Sequence, residues 1–188
     1  MKLRILAIAA LLASLGLGLS LPMAPSQAVS KDTNSSFIQL SESNWQGYTS
    51  SKGQYQVQIP GQPEQERNSQ NVGEETLSVE EIKFEDEDGA YGVVYMELPT
   101  AYIRDSNSTD ILDEMSDMFL AGMQLQQLKD IEETINLDGY PGREYRLSEE
   151  EGSLVLRLYL VEKKMYFLFA ASPTAASVNK FIDSFELL

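Results

Sequence analysis

The sequence predicts an α+β fold, a mainly antiparallel sheet with helices on both faces (an α/β/α sandwich), and three observations carry that prediction. Residues 139–172 read as three strands turned back on one another by short charged turns, and residues 75–98 as two more. Connections this short join neighbouring strands antiparallel. Leu154, Leu156, Leu158 and Leu160 fall on one side of their strand, and Val155, Arg157, Tyr159 and Val161 on the other, because side chains alternate along a strand. A strand that is largely apolar on both sides belongs in the middle of a sheet whose two faces are both covered.

The elements follow in order. Residues 1–28 open with Lys2 and Arg4, run apolar from 3 to 21 and close on Ser26-Gln27-Ala28, the small-x-small pattern of a signal-peptidase site. Pro22 and Pro25 interrupt the stretch near the lower limit of spanning length, so it reads as a cleaved secretory signal and not as an anchor. Residues 29–43 are polar and serine-rich and read as a flexible N-terminal arm, with Phe37-Ile38 laid on the domain. Residues 44–188 form a single domain. It begins with a hairpin, Trp45 to Thr49 and then Gly53 to Ile59, in which Tyr55, Val57 and Ile59 alternate with glutamines. Pro60-Gly61-Gln62-Pro63 ends that strand, and residues 64–73 are polar enough to be an edge strand or a loop. In residues 75–84 the apolar set shifts from Leu77 and Val79 to Ile82 and Phe84, which predicts a bulge at Glu80-Glu81. Asp86-Glu87-Asp88-Gly89 turns into the next strand, which Pro99 ends.

Ser108, Thr109 and Asp110 offer helix caps, and Ile111, Met115, Met118 and Leu125, widened by Leu112 and Phe119, make a helical stripe that covers one sheet face. Asp138-Gly139-Tyr140-Pro141-Gly142 predicts a turn at a sheet edge, with no regular strand through Pro141. Glu149-Glu150-Glu151-Gly152 and Glu162-Lys163-Lys164 are the two hairpin turns that follow. Ser172-Pro173 reads as an N-cap and first helical position, and Val178, Phe181, Ile182 and Phe185 place that last helix on the second face.

Charge and composition exclude several functions. The 188 residues carry −15; removing residues 1–28 with Lys2 and Arg4 leaves 188 − 28 = 160 residues and −15 − 2 = −17. A chain this acidic repels nucleic acid and anionic headgroups, so its expected partners are neutral, basic or cationic, with no direct membrane insertion after signal cleavage. The absence of cysteine removes a lipid-modified N-terminus, and the absence of histidine as well removes Ser-His-Asp and Cys-His catalysis. No GxSxG, phosphate loop, dinucleotide pattern or HExxH occurs. The chain is therefore expected not to be an enzyme. The alternative is a carboxylate-dependent hydrolase of a neutral polymer, although among 29 acidic residues no single pair, Glu80-Glu81 included, is informative.

Two candidate sites stand out. Glu85, Asp86 and Asp88, like the acidic turn at 149–151, offer oxygen ligands to a hard cation such as Ca²⁺, but without the spacing of an EF-hand loop. The expectation is no cofactor, with weak Ca²⁺ or small-ligand binding as an alternative. Tyr140, Arg143, Tyr145 and Arg146, with Tyr159 nearby, combine aromatics and arginines beside a turn and are the expected partner-binding patch, with ion pairs between the arginines and neighbouring glutamates as the alternative. Met115, Met118 and Met123 suit either core or an adaptable groove, and Asn34 and Asn107 open glycosylation sequons.

Ile59-Pro60-Gly61-Gln62-Pro63, Leu98-Pro99, the run from Leu137 to Glu144 and Phe181-Ile182-Asp183-Ser184-Phe185, in this order of elements, resemble the PsbP/Mog1-like superfamily from Trp45 to the end. The resemblance implies an exported non-catalytic accessory or assembly protein of the thylakoid lumen or periplasm. Its implied partner is a protein, as in a membrane complex such as photosystem II. The signal sequence departs from a Mog1-type role, and the missing cysteine from the family's lipoproteins. The chain also lacks histidine for the metal positions of PsbP and has no basic docking face.

Overall fold

The computed structural model describes residues 45–72, 75–150 and 152–188; the predicted signal (1–28) and arm (29–43) lie outside them. In chain order the elements are β1 (Trp45–Ser50), β2 (Tyr55–Pro60), β3 (Glu64–Val72), β4 (Glu75–Asp86), β5 (Gly89–Glu97), α1 (Thr100–Asp105), α2 (Ser108–Gly122) and a 3₁₀ turn (Gln126–Ile131). They continue with β6 (Glu132–Leu137), β7 (Tyr140–Glu149), β8 (Gly152–Val161), β9 (Lys164–Ser172), α3 (Ala175–Asp183) and β10 (Glu186–Leu187).

The strands that are apolar on both sides take the middle. A seven-stranded sheet runs β3-β4-β5-β9-β8-β7-β6, and a small sheet runs β1-β2-β10, with every registered pair antiparallel. Alternation then sorts the residues into two cores. Leu154, Leu156, Leu158, Met165, Phe167 and Phe169 face α2, where they meet Ile111, Leu112, Met115 and Leu120. Val155, Tyr159, Tyr166, Leu168, Tyr91 and Val93 face the opposite way, onto Val178, Phe181 and Ile182 of α3 and onto Tyr55, Val57 and Ile59 of β2. The second face is thus covered by a helix together with a small sheet. Each fully buried large side chain contributes about 1.5–3 kcal/mol of apolar transfer.

Several local expectations change. β4 has no bulge: Val79, Glu80, Glu81 and Ile82 pair one for one with Met96, Tyr95, Val94 and Val93. The apolar set changes parity because Leu77 and Val79 pack on the α2 core while Ile82 and Phe84 pack on the other. Pro141 lies within β7, opposite Asn136. In the two-residue hairpin closed by Leu137 and Tyr140, the next residue turns its amide position away from β6. Pairing with β8 starts only at Gly142, so no ladder bond is lost. Asp138 (φ 54°) and Gly139 (φ 93°) supply the two positive φ angles such a turn demands.

The helix ends also shift. Asn107, not a later residue, caps α2 by accepting from the Asp110 amide. Ser172 ends β9, and the cap position of α3 falls to Thr174. Ser172 instead uses its hydroxyl to donate to Asp88 O at 2.7 Å and to accept from the Thr174 amide at 3.1 Å. Met118 is 52% exposed while Met115 and Met123 are buried, because the buried stripe of α2 is centred on Ile111, Leu112, Met115 and Ser116. No helix among the described residues is long and apolar enough to cross a membrane.

Candidate functional site

β7 carries the predicted partner patch, and its alternation divides that patch. Arg143 and Tyr145 point to the α2 face, where they are 7% and 0% exposed; the expectation that they stand open to a partner is corrected by that burial. The Arg143 guanidinium donates to Asp113 Oδ1 at 2.9 Å and lies 3.0 Å from Glu132 Oε1. Tyr145 donates its hydroxyl to Glu132, and Lys129 lies 3.1 Å from the same carboxylate. Burial, followed by the bond to Glu132, pushes the Tyr145 hydroxyl up to about 12.

Tyr140 and Arg146 belong to the opposite face. Arg146 lies 3.0 Å from Glu144 and donates to Asn179 of α3 at 2.9 Å, while Arg157 donates to Glu144 and lies 3.3 Å from Asp183. Burial alone would raise the Glu144 carboxyl, but the hydrogen bonds from Arg146 and Arg157 outweigh it and hold its pKa below the ordinary carboxylate range. Tyr140 is half-buried at the margin of the second core.

The two arginines therefore serve closed ion clusters on opposite faces. The same holds for the other cations. Lys52 and Arg67 reach Glu80, Lys83 reaches Glu64 and Glu66, Arg104 pairs with Asp105 and Lys163 with Glu97. Lys180 stands 4.7 Å from the centre of the Trp45 ring, and Lys164 donates to Gln54. Every lysine and arginine among the described residues is thus engaged within the domain.

The carboxylates are in excess, and the topology brings part of that excess together. The register pairs Asp86 with Gly89, Ala90 with Ala171, Ser153 with Ser172 and Glu149 with Gly152. The β4–β5 and β7–β8 turns therefore lie at the same end of the sheet, on either side of the point where β9 leaves for α3. Glu85, Glu87, Asp88, Glu149 and Glu150 are exposed there and make no ion pair. Asp86 differs: its Oδ1 accepts the amides of Asp88 at 2.9 Å and Gly89 at 3.1 Å, which shapes the turn. Of the predicted cation ligands Glu85, Asp86 and Asp88, one is thus committed to the backbone, and no metal-holding group of three or more acidic residues occurs among the described residues. The acidic runs were visible in the sequence; their convergence at one end, which depends on strand order, was not.

No protein-family model matches the chain, and no curated protein matches it. Among solved structures, the solution structure of cyanobacterial PsbP (CyanoP) from Synechocystis sp. PCC 6803 is similar to it, with a TM-score of 0.48 and 18% identity over 82% of this chain and 98% of that one. A crystal structure from Bacteroides thetaiotaomicron is similar with a TM-score of 0.38 and 11% identity, over 76% of this chain and 48% of that one. The first is a PsbP protein, the family whose motifs the sequence resembles. Similarities of this size leave function to be argued from the residues of this chain.

Proposed function

We propose that the protein is an exported, non-catalytic accessory or assembly factor that docks through the acidic end of its sheet onto a basic surface of a larger complex. One observation carries this reading: all described cations are consumed inside the domain, whereas five carboxylates at one end are exposed without an ion pair. The charge left to meet a partner is negative, and such a surface steers and orients basic partners. The leader-like residues 1–28 support a partner on the lumenal or periplasmic side of a membrane, and the sequence resemblance to PsbP makes photosystem II the complex to try first.

The test is capture from solubilised membranes at low salt, with the natural chain and with a variant carrying Glu85→Gln, Glu87→Gln, Asp88→Asn, Glu149→Gln and Glu150→Gln. Asp86 stays unchanged because it holds its turn. The natural chain should retain a basic partner that is released as salt rises, and the variant should not retain it. A variant that holds the same partner equally well, or a natural chain that holds none, overturns the reading.

A further inference from the structure

At the opposite end of the sheet, a cavity of about 320 Å³ opens where the β1–β2, β6–β7 and β8–β9 turns meet β10. Its lining includes Gln54, Asp138, Glu162 and Lys164, with Tyr140, Val161 and Leu187 as apolar wall. The charges are arranged unusually for this molecule. Nearly every other cation is satisfied by a carboxylate, but Lys164 has only the amide oxygen of Gln54, and neither Asp138 nor Glu162 makes an ion pair although both line the same cavity. Unlike charges are thus held in one cavity without neutralising each other.

At two of the turn positions that line the cavity, Gln54 and Glu162, the backbone carries a cost. Among the described residues four that are not glycine have positive φ, and Gln54 (53°), Asp138 (54°) and Glu162 (56°) are three of them. Val161 pairs with Lys164, and only the first of the two loop residues has positive φ, the pattern of a II′ turn whose first position ordinarily takes glycine. A side chain in such a position is disfavoured unless the surroundings hold it. At Gln54 and Glu162 the chain gives up the cheaper glycine and gains a polar group lining the cavity.

We propose that this cavity binds a small zwitterion, a free α-amino acid with a branched apolar side chain. Its carboxylate would meet the Lys164 ammonium, its ammonium the Asp138 and Glu162 carboxylates, and its side chain Val161, Leu187 and the Tyr140 ring. Each charged contact is of the charge-assisted kind. The cavity size suits a ligand of this class. The site is remote from the acidic end, so its occupancy and the docking proposed above are independent.

The experiment titrates the isotope-labelled full chain with L-leucine and follows backbone amide resonances. Saturable shifts should appear at Gln54, Asp138, Glu162 and Lys164. Lys164→Gln, and separately Asp138→Asn with Glu162→Gln, should weaken binding at least tenfold while the rest of the amide spectrum stays in place. Isoamylamine, which lacks the carboxylate, and 4-methylpentanoate, which lacks the ammonium, should each bind at least tenfold more weakly than leucine. Absence of saturable shifts, shifts confined to other residues, or equal binding of either half-ligand overturns the proposal.

Discussion

Residues 143 and 144 are neighbours on β7, and they build opposite clusters on opposite faces of the sheet. On the α2 face a buried cation, Arg143, is held between two anions, Asp113 and Glu132. On the α3 face a buried anion, Glu144, is held between two cations, Arg146 and Arg157. The first cluster is a guanidinium closed in by carboxylates from a helix and an edge strand. The second is a carboxylate closed in by arginines from its own strand and the next. The difference shows why arginines beside tyrosines do not by themselves make an interaction patch. Alternation turned Arg143 and Tyr145 into core and tied Arg146 to α3.

Breaking the first cluster should have the largest effect. Arg143→Gln leaves Asp113 without a cation and Glu132 with Lys129 alone, and puts an uncharged amide in a buried site built for a guanidinium. Removing one partner of a buried ion pair typically costs about 3–5 kcal/mol. Urea unfolding should show a loss toward the lower end of that range, because Asp113 is half-exposed and Lys129 still meets Glu132, with the midpoint falling and the slope unchanged. A loss under about 1 kcal/mol, the range of ordinary surface changes, would place Arg143 outside any structural role and restore it as a contact residue.

The second cluster is the one that acid should open. The pKa of Glu144 is held below its ordinary value near 4.5, so its contribution is fully present above that value and lost as pH falls through the depressed one. Glu144→Gln should therefore destabilise the protein at neutral pH by about 1–3 kcal/mol, less than Arg143→Gln, because the guanidinium groups left behind are weakly hydrated and partly exposed. At about pH 3 the gap between the natural chain and this variant should have narrowed, since protonation takes the natural chain toward the same neutral state. Equal gaps at both pH values would show that the charge on Glu144 does not hold the cluster.

How much of this was legible beforehand follows from what each residue reports locally. Leu154 to Val161 reveal a two-sided strand because alternation is written in the sequence, and the central position of β8 followed from it. Phe181 and Ile182 likewise announced the helix that covers one face. β6 was missed because an edge strand buries little: Glu132-Glu133-Thr134-Ile135-Asn136-Leu137 offers few apolar positions, and only the Asp138-Gly139 turn after it hinted at a hairpin. α1 was hidden by its shortness, six residues directly after Pro99. The pairing of Arg143 with Asp113, thirty positions away, depends on how α2 lies across β7, which no local pattern specifies. For the same reason the acidic tips were readable singly but not as one end of the sheet.

The smallest effect separates the two arginines of the predicted patch most sharply. Arg146 has a 37% exposed side chain that reaches from the buried Glu144 out to the exposed Asn179, at the surface end of the second cluster. Its charge is partly screened by solvent, and Arg157 remains to hold Glu144 when it is removed. Arg146→Gln should accordingly cost under about 1 kcal/mol, the range of an exposed ion pair. The two single substitutions separate the roles that changing both arginines at once would confound. Arg143→Gln should unfold the protein at lower urea, and Arg146→Gln should leave the midpoint nearly unchanged. If Arg146→Gln instead matched Arg143→Gln in cost, the α3 face would depend on Arg146 as the α2 face depends on Arg143, and the two clusters would be equivalent in weight as well as opposite in charge.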